Sequence, residues 1–268
     1  MEILIGFAFI LLTSGSLLVN FIPSFQCVAK HGKLADANLI NTQEKGIFDF
    51  LAKFTVPKSL FTYMYVWSII LSVSLLVFLD TDKSIDFDLL LFLGHSGRRL
   101  YECIFITEYG KSRMNIGGLA AGMAHYSLVP LCLANSSSLY PIMNPFPLIL
   151  FCMASSCQFY CHLILFWLKQ NYAEENNSSK YKLGKDLKYS LPKGFLFDYI
   201  CCPHYSMEIL IYLSFFIQNP QSISRLCMVC WVTSNLSVVA NVQYLWYFQH
   251  TPDEILSHRI YRLVPFVW

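Results

Sequence analysis

The stretch FTYMYVWSIILSVSLLVFL, Phe61 to Leu79, carries no charged residue from end to end. As a helix it rises about 1.5 Å per residue and so reaches about 28 Å, close to the thickness of a hydrocarbon core. A run of this length and character reads as a membrane-spanning helix. Outward from it, further apolar blocks run from Glu2 to Ile22, Leu89 to Ile106, Ile116 to Leu133, Phe146 to Leu168, Tyr205 to Phe216 and Ile223 to Tyr247. Together they predict an all-α, polytopic membrane helical bundle of about seven transmembrane helices, with the whole chain, 1–268, forming one membrane-embedded domain. The sixth block is short and needs flanking residues, tilt or a re-entrant path to cross.

Composition agrees with this. Of the 268 residues, 55% are hydrophobic, 16% aromatic and 13% charged, against roughly 25% charged in an ordinary soluble domain. The formal charge of +2 and the dispersal of the basic residues exclude nucleic-acid binding as the main task. Most of the ten cysteines lie within apolar blocks, where thiols pack as small hydrophobes. Cys227 and Cys230 form a CxxC without a second pair, so no metal site is expected.

The connections alternate in charge. Lys30, Lys33, Lys45, Lys53 and Lys58 follow the first block, whereas Asp80, Asp82, Asp86 and Asp88 with only Lys83 follow the second. Lys111 and Arg113 come next, then the uncharged stretch Ala134 to Pro145, then Lys169, Lys180, Lys182, Lys185, Lys188 and Lys193. The positive-inside rule turns every second connection, and the tail with Arg259 and Arg262, toward the cytosol and leaves the N-terminus on the other side. The sequon at Asn135 is then lumenal, and those at Asn176 and Asn177 are cytosolic. The small-xxx-small spacing from Gly118 to Gly122 reads as a helix-packing contact, and no GxGxxG or P-loop occurs.

Two polar constellations stand out. The third block carries His95, Arg98, Arg99 and Glu102, whose spacings of three, four and seven put most of these side chains on one helix face. A charge at the bilayer centre costs roughly 2.5 to 3.5 kcal/mol on insertion scales, so the stripe should face inward, either as a structural ion pair or as an anion or carbonyl site. The second runs from Tyr189 to Tyr199 and on through Cys202-Pro-His-Tyr205 to Glu208. His204 and Glu208 share a face if the sixth helix begins near Pro203. Tyrosines, a histidine and lysines at a cytosolic boundary suit either an interfacial belt or a phosphorylated soluble cofactor.

The motifs Phe54-Thr-Val-Pro-Lys58, Gly94-His-Ser-Gly-Arg-Arg-Leu-Tyr-Glu102, Ser112-Arg-Met-Asn115, Tyr189-Ser-Leu-Pro-Lys-Gly194, Cys202-Pro-His-Tyr205 and Leu263-Val-Pro-Phe266, in this order over most of the chain, resemble the polyprenol (polyprenal) reductase branch of the steroid 5-alpha-reductase family, its fungal members in particular. The resemblance implies a seven-helix endoplasmic-reticulum enzyme. With NADPH it saturates the double bond nearest the functional end of a polyprenoid lipid, leading to dolichol for protein glycosylation. Hydride addition to an enal builds charge on the carbonyl oxygen, whereas an unactivated allylic alcohol resists hydride, so polyprenal is the favoured substrate.

Carried over residue by residue, the resemblance implies catalytic roles for His95, Glu102 and Tyr189, with Arg98 and Arg99 holding Glu102 or cofactor phosphate. It implies an NADPH site drawn from Arg113, Gln158, His162, Lys169, Tyr189, His204 and Glu208, much of it in residues 146–268. Where family steroid reductases direct a tyrosine at the substrate ketone this chain has Ser96, which turns the expectation away from steroids. A transporter or lipid-binding protein, and an isoprenoid-directed membrane methyltransferase, are the readings from other classes.

Overall fold

The computed structural model describes residues 1–21, 54–79, 87–107, 109–110, 112–135, 145–178, 191–250 and 260–264. Most of the charged connections that set the predicted orientation, and the first motif position Tyr189, lie outside the described residues. Within them the chain is an all-helical membrane bundle. Seven helices are described: α1 Glu2–Phe21, α2 Phe61–Leu79, α3 Phe87–Tyr101, α4 Ile116–Asn135, α5 Phe146–Ser178, α6 Pro203–Gln218 and α7 Ile223–His250. Four of these regions, Lys58–Phe78, Ile116–Ala134, Phe146–Gln170 and Ile223–Gln249, are long and apolar enough to cross a bilayer, and the apolar stretch Glu2–Leu18 is shorter. Large apolar side chains point outward, with Ile3 82% and Phe78 78% exposed, as lipid-facing residues do and water-facing ones rarely do.

The predicted blocks are recovered with two differences. The block from Leu89 to Ile106 is not one regular helix: α3 ends at Tyr101 and continues as a π-helical turn, Glu102–Ile106. A π-turn carries one extra residue per turn, which rotates the chain that follows, and such turns are common at functional sites. The fifth block extends from Leu168 to Ser178 in α5. Hydropathy marks the apolar span, whereas backbone hydrogen bonding continues the helix into polar residues beyond it.

Helix α1 lies along α7, α5 along α6, and α2 against both α3 and α4. Just before α2 and α4, strands β1 (Thr55–Pro57) and β2 (Arg113–Asn115) pair antiparallel, with Val56 opposite Met114. This clasp ties together the entrances of two helices. Another tie secures the start of α6: Cys201 N–H donates to Tyr261 C=O at 2.7 Å, Tyr261 N–H to Tyr199 C=O at 2.8 Å, and the Ser206 hydroxyl to Leu263 C=O at 2.6 Å.

Gly122 on α4 faces Met64 on α2, and a Cβ at this position would come within 2.6 Å of the Met64 sulfur. The small residue is therefore needed for the α2–α4 approach. Gly122→Val is expected to push the Met64 side chain into the bundle and to cost about 1–3 kcal/mol. Thermal unfolding in detergent measures this, and Met64→Ala in the same chain should recover part of the loss.

A candidate active site inside the bundle

The polar stripe of α3 does face inward, and the turn that ends it supplies its anion. Glu102, 1% exposed, accepts hydrogen bonds from Arg98 Nη1 at one oxygen and Arg99 Nη1 at the other. His162 Nδ1 on α5 stands 2.6 Å from the second oxygen. The same Nδ1 lies 2.8 Å from Arg99 Nη1, so it either donates to the carboxylate or accepts from the guanidinium, and cannot do both.

A closed ring of polar side chains links α3, α5 and α6. Arg98 Nη2 lies 2.5 Å from Gln158 Oε1 and 3.2 Å from His95 Nδ1. Gln158 Nε2 donates to Glu208 Oε2 and, at 3.2 Å, to the His204 carbonyl. Glu208 Oε1 lies 3.4 Å from His95 Nε2, which closes the ring. Arginine has no acceptor, so His95 Nδ1 must accept and its Nε2–H must face Glu208. Two guanidiniums thus stand among two carboxylates. This balance lets four charges sit in a low-dielectric interior at tolerable cost.

Beside the ring is a cavity of about 770 Å³. Polar and charged side chains of its lining are Lys58, Arg99, Gln158, His162, Lys169, His204 and Glu208, and apolar ones include Leu12, Ala121, Trp231, Val232 and Leu236. Among the described residues, His204 Nδ1 is buried without a hydrogen-bond partner. Lys58 and Lys169 are close enough to repel one another, an arrangement that suits an anion between them. In the same lining, burial and a hydrogen bond with Cys103 push the Tyr109 phenol up, so this hydroxyl stays neutral.

Of the residues expected from sequence, Arg99, Gln158, His162, Lys169, His204 and Glu208 line the cavity. His95, Arg98 and Glu102 do not. They stand behind its wall, His95 at 2% exposure, because their side chains are occupied in the ring and the carboxylate cluster. His95 and Glu102, expected from the sequence to meet the reacting group, thus do not border this cavity. Arg113 is also elsewhere: its exposed guanidinium binds Thr55 Oγ1 at 2.8 Å and the Thr55 carbonyl at 2.5 Å, which reinforces the strand clasp. Tyr189 lies outside the described residues. Ser96 is fully buried and bonded to Ser68 at 3.0 Å.

Sequence reading missed an aromatic group in the cavity lining. Trp231 Nε1 donates to His125 Nδ1 at 3.2 Å, and His125 Nε2 lies 2.8 Å from the Tyr212 hydroxyl. Tyr65 packs edge-on against Tyr126 with centroids 4.9 Å apart. Arg99 Nε donates to the Tyr65 hydroxyl at 3.3 Å, and its guanidinium lies 5.4 Å from the ring centre. These residues come from α2, α4, α6 and α7, and each sits in an apolar run where an isolated aromatic reads as core. The spacing of Glu208 and Tyr212, one helical turn apart, was the available signal for the latter.

The sequence profile of the 3-oxo-5-alpha-steroid 4-dehydrogenase family matches residues 123–268. A polyprenal reductase of Saccharomyces cerevisiae is 32% identical over 231 residues, covering 85% of this chain and 81% of the yeast protein. A polyprenal reductase of Caenorhabditis elegans is 29% identical over 187 residues, 67% of this chain and 59% of that protein. Polyprenal reductase 2 of Oryza sativa subsp. japonica is 28% identical over 209 residues, 63% of this chain and 55% of that one.

Proposed function

Because this chain belongs to the 3-oxo-5-alpha-steroid 4-dehydrogenase family, and is thus a multi-pass membrane reductase acting on a CH–CH group with a nicotinamide cofactor, we propose that it reduces the α,β double bond of polyprenal with NADPH. The observation that carries this reading is a cavity whose lining combines basic and hydrogen-bonding side chains with apolar ones, in a chain 32% identical to a yeast polyprenal reductase. The proposed setting is the endoplasmic-reticulum membrane, with the N-terminus lumenal and the C-terminus cytosolic.

The residues suit NADPH. Lys58 and Lys169 offer positive charge for its phosphates, and His204 offers a buried ring nitrogen that has no partner among the described residues. Gln158 and Glu208 offer an amide and a carboxylate to a carboxamide, and His162 lines the same cavity. NADPH, when bound, supplies the hydride.

The protein's own contribution is geometric and electrostatic. Glu102 fixes Arg98, Arg99 and His162, and the ring through His95 fixes Glu208 and Gln158. Groups held this way need no reorganisation when charge develops on the carbonyl oxygen. The apolar part of the lining takes the first isoprene units, and the rest of the tail stays among lipids, so length selectivity in the protein is weak.

The test is product formation by purified protein in detergent with NADPH and polyprenal, alongside polyprenol and a 3-oxo steroid. Dolichal from polyprenal alone is the expected result. NADPH binding without turnover of polyprenal would sink the substrate, and absence of NADPH binding would sink the reaction.

A further inference from the structure

Enal reduction with a hydride donor requires a group that stabilises negative charge on the carbonyl oxygen. We propose that the hydroxyl pair of Tyr65 and Tyr126, beside Arg99, is this group, and that the substrate's aldehyde oxygen docks against it. This rests on the reading of the chain as a polyprenal reductase.

Hydrogen-bond accounting leads to the pair. Tyr65 and Tyr126 pack with ring centroids 4.9 Å apart and their hydroxyls interact, which uses at most one of their two O–H groups. The contact from Arg99 Nε at 3.3 Å comes from a group that only donates, so Tyr65 receives it and loses no proton to it. Among the described residues at least one O–H of the pair therefore remains without an acceptor. His125, whose ring lies 4.9 Å from that of Tyr126, cannot take it. Trp231 only donates, so His125 Nδ1 accepts from it and His125 Nε2–H is directed at Tyr212. Neither hydroxyl hydrogen-bonds to Glu208, whose oxygens face His95 and accept from Gln158.

The position fits as well. Tyr65 and Tyr126 are 5% and 8% exposed, and that remaining surface borders the cavity. They share that lining with Arg99 and Glu208 and with Ala121 and Trp231. The head of a prenyl aldehyde joins a polar oxygen to an apolar chain and calls for both kinds of neighbour. An O–H in such a wall is costly to leave unpaired, and an aldehyde oxygen is an acceptor of the right kind. The Arg99 guanidinium against the Tyr65 oxygen and ring polarises the donor further.

In the reaction, hydride adds at the β carbon, the alkene electron pair moves to the bond between the α and carbonyl carbons, and the carbonyl pair moves to oxygen. The tyrosine O–H donates to that enolate oxygen without giving up its proton. A proton from water then adds at the α carbon, the carbonyl re-forms, and the sum is one hydride and one proton added across the double bond.

The probe is farnesal, a short prenyl aldehyde, bound to the purified full chain in detergent without cofactor, with the carbonyl stretch read by Raman spectroscopy. The band is expected to lie below its value in detergent alone, and to return to that value in Tyr65→Phe or Tyr126→Phe. With NADPH, kcat for farnesal is expected to fall about 10²-fold in the affected variant, with the NADPH dissociation constant within about threefold of the unaltered protein. Two phenylalanine variants guard against one failing to fold. An unshifted band in the unaltered protein, or unchanged kcat in both variants, would overturn the assignment. A shifted band that both variants abolish, in a protein that reduces no enal, would uphold the docking pair and overturn the reductase reading instead.

Discussion

Replacing Glu102 by glutamine is expected to lower kcat/KM for polyprenal by at least about 10²-fold and to destabilise the fold. The carboxylate holds Arg98, Arg99 and His162 at once, and it is 1% exposed against about a fifth for the two arginine side chains. Glutamine keeps the shape but offers one acceptor oxygen and an NH₂ that faces donors. The ring then holds two guanidiniums against the single carboxylate of Glu208. Breaking a buried pair from one side costs about 3–5 kcal/mol, and a guanidinium displaced by about 1 Å costs on the order of 10²-fold in rate. Initial rates, NADPH binding and thermal unfolding should all move together. Full activity in Glu102→Gln would mean that the arginines are positioned by something other than this carboxylate. Glu102→Asp keeps the charge and should fall between the two.

The second large effect is expected far from the cavity and should appear in stability rather than in binding. Arg225 on α7 is fully buried, and its Nη1 lies 2.6 Å from Asp88 Oδ2 on α3 and 2.7 Å from the Phe215 carbonyl on α6. Next to it, the Ser222 hydroxyl donates to Glu2 on α1 at 2.8 Å. Four helices thus meet at one polar knot. Asp88→Ala leaves the guanidinium without its carboxylate and is expected to cost about 3–5 kcal/mol. At about 2–4 °C per kcal/mol for a chain of this size, the unfolding midpoint falls by about 6–20 °C. Replacing both partners, Asp88→Leu with Arg225→Met, should recover much of this, since apolar pairs of similar volume replace buried ion pairs well. A double variant as unstable as Asp88→Ala would show that the other bonds of Arg225 matter more than its charge pair.

The same two residues show where sequence reading stops. Asp88 counts in the sequence as part of an acidic connection, and Arg225 sits within an apolar block with no partner in sight. They are 137 positions apart, so nothing local relates them. The α3 stripe was legible because its members share one helix: separations of three, four and seven fix a common face before any tertiary contact forms. His204 and Glu208 were legible for the same reason, since α6 does begin at Pro203. Tyr65 and Tyr126 were not, as each reads as one more aromatic in a membrane helix.

By itself the sequence determined the membrane setting, the seven apolar blocks and the inward stripe. These follow from hydropathy, helical period and the cost of charge in lipid, which act along a single helix. The motifs carried the family likeness in the same direct way. Only the tertiary structure decided that His95, Arg98 and Glu102 stand behind the cavity wall while Arg99 reaches it, that Arg113 belongs to a strand clasp, and that two tyrosines from α2 and α4 meet beside Arg99. Those outcomes depend on how helices distant in sequence pack together and on which hydrogen bonds each polar group finds there, and neither is encoded in the spacing along one helix.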